Sequence, residues 1–177
     1  MLADDTNLRM SAYNVRTLQR KVKDEIQNIS CWIRANKLSI NYNETSYIIL
    51  NRLKGDTAIF SISINSQQIC EKNDIRYLGI ILDNKVNWKP HIAKLTTQSS
   101  KSCGILSKLR HCTTQPVFKA VYNALIHPYL KYAVLNWGRA SKTTIQPLEN
   151  LQNKAVKCLK TSNRATLDEI NIYKITL

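Results

Sequence analysis

Two adjacent carboxylates, Asp4 and Asp5, lie within the run Ala3-Asp4-Asp5-Thr6-Asn7-Leu8 near the start of the chain. Paired aspartates at a tight strand–turn–strand are what two-metal phosphoryl transfer needs. Mg²⁺ takes oxygen ligands in octahedral geometry and keeps several waters. Two such ions about 3.5–4 Å apart clamp the attacking and the leaving oxygen. Neighbouring side chains on a strand point to opposite faces, so one aspartate of the pair would ligate directly while the other tunes the turn or reaches round. Asp is also favoured in helix caps and solvated turns, and the dipeptide alone leaves both readings open.

The second chemical signal is charge. The 177 residues carry a formal net charge of +14, which calls for a polyanionic partner, nucleic acid or an anionic membrane. No apolar run approaches the ~20 residues a membrane span needs, and the N-terminal residues lack the basic and apolar regions of a secretory signal. Nucleic acid is therefore the expected partner, in a nuclear or cytoplasmic setting. The cations are also unevenly placed. Between Asp83 and Glu149 the chain has no acid, yet it holds ten Lys and Arg: Lys85, Lys89, Lys94, Lys101, Lys108, Arg110, Lys119, Lys131, Arg139 and Lys142. A solvated surface normally mixes signs; this stretch reads as a surface that meets phosphates. The five cysteines are odd in number and contain no C-x-x-C, so neither a disulfide framework nor a zinc knuckle is expected.

The elements that must position these groups follow from periodicity. Leu18, Val22, Ile26, Ile29 and Ile33 recur at helical spacing, which predicts an amphipathic helix over 13–36 stopped at Asn36. Short strands follow at Leu38–Asn41 and Thr45–Leu50, a turn at Lys54-Gly55-Asp56, and a half-buried strand where Phe60, Ile62 and Ile64 alternate with serines. Asn65-Ser66 is a weaker turn signal before a strand at 67–70. Ile75–Leu82, nearly all apolar, reads as one strand covered on both faces. From Trp88 the pattern becomes helical. Ile92, Leu95, Ser99, Leu106 and Leu109 form an apolar stripe. Lys94, Lys101 and Lys108, seven apart, fall on one line roughly 10 Å from one to the next. Further helices are expected near 116–126, ended or kinked by Pro128, near 145–160, and near 167–173. Tyr129, Tyr132 and Trp137 could stack on bases, but core packing is the first expectation for them.

The order of motifs resembles the C-terminal half of a reverse transcriptase of the non-LTR retrotransposon (LINE, jockey-like) family. Leu2-Ala3-Asp4-Asp5-Thr6-Asn7-Leu8 is similar to the family's aromatic-Ala-Asp-Asp-Thr box. Trp32 with Asn36-Lys37-Leu38-Ser39-Ile40-Asn41 is similar to its W…NKLSLN motif. Tyr77-Leu78-Gly79-Ile80 with Leu82-Asp83 resembles its primer-grip segment, and Trp88 with His91 the opening of its thumb. Tyr122, Pro128, Tyr132 and Trp137-Gly138 resemble its Y…P…Y…WG pattern, and Leu151-Gln152-Asn153-Lys154-Ala155 its LQ.KA helix. The match covers nearly the whole chain.

The resemblance implies an α+β fold: a partial reverse-transcriptase palm (hairpin, helix and small mixed or antiparallel sheet) over 1–86, then an all-helical basic thumb over 87–177. It implies template-directed nucleotidyl transfer in the full-length parent, with Mg²⁺ on Asp4 and Asp5, an RNA template, a DNA primer and deoxynucleotides. Tyr77, Leu78 and Gly79 would seat the primer 3′ end. Lys89, Lys94, Lys101, Lys108 and Arg110 would grip duplex phosphates, giving affinity without sequence choice. Three departures qualify the match. Leu2 replaces the family's aromatic, Glu44 stands where its N-x-x-K-T lysine would be, and its first metal-binding aspartate and fingers lie upstream of the matching segment. The chain by itself is accordingly expected not to polymerise. The alternatives are a non-catalytic nucleic-acid-binding module or a decayed retroelement remnant.

Overall fold

The computed structural model describes residues 6–50, 60–109 and 111–162. Asp4, Asp5, Arg110, the expected turn at Lys54-Gly55-Asp56 and the expected helix at 167–173 lie outside the described residues. The described part is mixed α+β, with six helices and two small sheets. The chain divides into two compact units, Met1–Ile75 and Arg76–Leu177. The expected 86/87 boundary falls in the loop that leads into the first helix of the second unit.

In the first unit, α1 runs Val15–Ala35. Asn14 caps it by accepting from the Thr17 amide at 2.8 Å, so one of the orphan first-turn donors is satisfied. Asn36 closes the other end, its amide bonded to the carbonyls of Trp32 and Arg34. The apolar stripe of α1 is half-buried rather than buried, and the helix packs along β2. No strand forms at 38–41, a correction to the sequence expectation. The Asn41 carbonyl instead takes the Thr45 amide at 3.0 Å and the Thr45 hydroxyl at 2.7 Å, a side-chain-assisted turn that competes with strand pairing. The strand after it shrinks to β1, Ser46–Tyr47.

β2 (Ile62–Ile64) and β3 (Gln67–Glu71) form an antiparallel hairpin, with Ile64 opposite Gln67. Asn65 and Ser66, both with positive φ, make the two-residue turn, the geometry whose twist matches flanking strands. β1 pairs with β3 in parallel, giving the order β1-β3-β2. Ile69 of β3 and Phe60, just ahead of β2, are the buried apolar residues here. The Tyr47 ring meets Phe60 edge-on at 5.6 Å, and its hydroxyl donates to the Phe60 carbonyl at 3.1 Å.

The single covered strand expected over 75–82 is instead two short strands, β4 (Asp74–Tyr77) and β5 (Ile80–Asp83). They pair with each other through a turn at Leu78-Gly79. β4 is mostly exposed while β5 faces inward.

The helices of the second unit are α2 (Lys89–Leu109), α3 (Gln115–Leu125), α4 (His127–Lys131), α5 (Val134–Trp137) and α6 (Lys142–Ser162). Pro128 sits in the first turn of α4, where its missing N–H costs nothing. The core between these helices holds Ile92, Leu106, Phe118, Tyr122, Ile126, Trp137, Leu148 and Ala155, none more than 2% exposed. α2 and α6 share its most extensive contact. No described helix is long and apolar enough to cross a membrane.

Candidate nucleic-acid interface

The expected primer-contacting residues occupy the tip of the β4–β5 hairpin. Tyr77 ends β4, and Leu78 (φ 45°) and Gly79 (φ 83°) form the turn. Two consecutive positive φ values are the two-residue hairpin geometry that favours Asn or Gly at both places. Gly79 meets that need, whereas Leu78 is a bulky residue in a strained region. Nor is Leu78 held by burial, since its side chain is 70% exposed.

The hairpin is tied to the helices at three points. The Tyr132 hydroxyl, in the link between α4 and α5, donates to the Leu78 carbonyl. The Ile81 amide donates to Nδ1 of His91 on α2 at 3.2 Å. The Asp83 carboxylate, 5% exposed, accepts from the amides of Trp88 at 2.8 Å and Asn87 at 3.1 Å. Trp137 links the first two ties. Its ring centroid lies 6.3 Å from that of His91, and its Nε1 donates to the Tyr132 carbonyl at 2.8 Å. The resemblance motifs around 77–80, 88–91, 132 and 137 therefore converge on one tertiary cluster.

His91 must be neutral at Nδ1 to accept the Ile81 amide, and its environment enforces this. Burial, with the Lys94 charge adding to it, pushes its pKa below the ordinary histidine value. Asp83 acts on the start of α2. The intervening loop holds Val86 (φ 52°) and Trp88 (φ 64°) in the left-handed region, and the two amides on the carboxylate offset that strain. A carboxylate at a helix N-terminus also meets the positive end of the helix dipole.

α2 carries the expected cation line. Ile92, Leu95, Ser99, Ser102 and Leu106 are buried, and at 100° per residue they lie roughly 80–160° round the helix from Lys94. Lys101 and Lys108 are exposed and Lys94 is half-buried. All three sit on the outer flank, on one line. Lys89 is exposed at the first turn, about 140° away from that line. It marks a second edge of the helix. Lys119, Lys131, Arg139 and Lys142 on the neighbouring segments are exposed as well.

Of the three aromatics with a stacking alternative, Trp137 is fully buried, while Tyr129 (40% exposed) and Tyr132 (55% exposed) reach solvent. Sequence reasoning gave Tyr132 a stacking alternative and placed Tyr132, Asp83 and His91 within resemblance motifs, but it assigned none of them a tie to the hairpin or its loop. The Tyr132 tie joins residues 54 apart in the chain, which no local pattern reveals.

The groove between α2 and α6 is lined by Cys103, Cys158, Gly104 and Lys154. Burial pushes the Cys103 thiol up, Cys158 adds to this and Lys154 opposes it, so this thiol is a poor nucleophile. Among the described residues no group of three or more His, Cys, Asp or Glu could hold a metal ion.

Comparison with known proteins gives the chain relatives of one kind. It is 25% identical over 162 residues to "Probable RNA-directed DNA polymerase from transposon BS" of Drosophila melanogaster, which covers 89% of this chain. It is 22% identical over 142 residues, 78% of this chain, to "Probable RNA-directed DNA polymerase from transposon X-element" of the same species. To "RNA-directed DNA polymerase from mobile element jockey" of Drosophila funebris it is 24% identical over 130 residues, 71% of this chain. The chain spans 18%, 15% and 14% of the length of these three curated relatives. No protein-family model matches it, and no solved structure matches it.

Proposed function

We propose that this chain, a sequence relative of the jockey-like non-LTR retrotransposon RNA-directed DNA polymerases, forms the end of the palm and the thumb of such an enzyme. The observation that carries the reading is the similarity over 89% of the chain to the transposon BS polymerase. The hairpin tip and the line of Lys94, Lys101 and Lys108 on α2 support it. The parent reaction is attack of a primer 3′-hydroxyl on the α-phosphate of a deoxynucleotide, which forms a phosphodiester and releases pyrophosphate. Asp4 and Asp5 are assigned to metal-binding carboxylates, where Mg²⁺ would neutralise developing charge when bound. The residues of the second unit do the positioning. Tyr77, Leu78 and Gly79 seat the primer end, while Lys89, Lys94, Lys101 and Lys108, with Arg110, hold the duplex by its phosphates.

A frame read upstream of the Met1 codon is expected to encode an aspartate-bearing strand and a fingers domain. The purified chain alone is expected to bind primer–template duplex without extending it. Steady extension by the chain alone, lost on Asp4→Ala, would overturn the assignment of an essential upstream aspartate. The second reading, a non-catalytic nucleic-acid clamp, draws on the acid-free, cation-rich stretch between Asp83 and Glu149. It gains if the transcript begins at Met1 and duplex binding ignores Asp4→Ala.

A further inference from the structure

The geometry points to Tyr132 as the positioning residue of the Tyr77-Leu78-Gly79 turn; its functional weight rests on the primer-seat reading above. Leu78 adopts φ 45° with 70% of its side chain exposed. Neither its residue type nor its burial explains why the turn stays closed. Tyr132 supplies what is missing. Its hydroxyl donates to the Leu78 carbonyl, and its ring lies 3.4 Å from where a Cβ on Gly79 would stand. One side chain thus engages both turn residues.

Tyr132 is itself held from behind. Its amide donates to the Pro128 carbonyl at 3.0 Å, and its carbonyl accepts from Nε1 of the fully buried Trp137 at 2.8 Å. The next residue, Ala133, takes φ 53° and turns the chain into α5. The backbone of Tyr132 is therefore fixed by the core while its ring reaches out to the hairpin. Tyrosine suits this task because it joins a rigid apolar body to a polar tip. Phenylalanine would keep the ring against Gly79 and lose only the donor. Tyr132 need not touch the nucleic acid to act; it fixes where the tip stands.

The test uses the full chain with Tyr132→Phe. Three readouts are compared with the parent: the melting temperature, amide exchange at residues 78–80, and emission from a 2-aminopurine placed at the primer 3′ terminus of a bound duplex. The melting temperature is expected to fall by about 4–8 °C, the equivalent of a fivefold change in exchange, since one hydrogen bond is lost. Exchange at the turn should rise roughly fivefold, and the terminal-base signal should revert toward that of free duplex. Turn exchange equal to the parent's would overturn the positioning role. So would a rise spread evenly over the helices. Faster turn exchange with an unchanged terminal-base signal would leave Tyr132 positioning the turn and remove the primer-seat reading instead.

Discussion

Asp83→Ala isolates the contribution of one buried carboxylate to the start of α2. The side chain is 5% exposed and accepts from the amides of Asn87 and Trp88 at 3.1 and 2.8 Å. Hydrogen bonds to a charged group contribute about 1.5–3 kcal/mol each, and a buried donor left without an acceptor costs about 1–3 kcal/mol. The loop between also holds Val86 and Trp88 at positive φ, and besides the carboxylate bonds the Val86 amide donates to the Asp83 carbonyl at 2.9 Å. Because water can reach part of a relaxed loop, the lower end is the better expectation, about 3 kcal/mol. For a unit of about 100 residues each kcal/mol shifts the melting temperature by about 4–8 °C, so the fall should be roughly 12–24 °C. Asp83→Asn keeps one acceptor oxygen and should lose about half as much. Calorimetry on the three proteins reads both values. A melting temperature for Asp83→Ala within about 3 °C of the parent would refute the claim that this carboxylate holds the loop.

Other expectations concern the same unit. His91 is held below its ordinary pKa by burial and then Lys94, so the unfolded chain binds more protons than the folded one as pH drops from about 6.5 toward the folded-state value. Stability is fully present above that window and is lost as pH falls through it. His91→Gln should flatten the melting-temperature profile between about pH 7 and 5, leaving the share of His127, also lowered by burial and then by Lys131. Leu106→Ala removes a side chain with 0% exposure and should cost about 3–5 kcal/mol by denaturant titration. Gly79→Ala places a Cβ at φ 83° against the Tyr132 ring and should cost about 1–2 kcal/mol, detectable in the same titration.

The sequence carried the long elements and hid the tight ones. α1 and α2 were legible because their apolar residues repeat at helical spacing over 21 residues each, and Asn36 marks a helix end by its own chemistry. The alternation from Phe60 to Ile64 likewise announced a half-buried strand. The β4–β5 turn was not legible, since Leu78 has none of the residue preferences of a left-handed position and the surrounding run is nearly all apolar. Gly79 invited a close-approach reading; the structure adds a positive φ to the contact with Tyr132. The strand expected at 38–41 failed because Asn41 offers the backbone a local partner. In the candidate site, the lysine line on α2 could be read from a spacing of seven. The ties through Tyr132, His91 and Trp137 depend on residues distant in the chain, and only the fold reveals them.

The most direct measurement is the salt dependence of binding to a primer–template duplex. It compares the parent chain, the triple change of Lys94, Lys101 and Lys108 to Gln, and Asp4→Ala, between about 50 and 200 mM salt. Each phosphate contact contributes about 0.9 to the slope of log affinity against log salt, so the lysine variant should bind more weakly with a slope shallower by about 2–3, while Asp4→Ala keeps the parent slope. Binding that ignores both salt and the three lysines, or no duplex binding at all, would contradict the assignment of these helices to a polymerase's grip on nucleic acid.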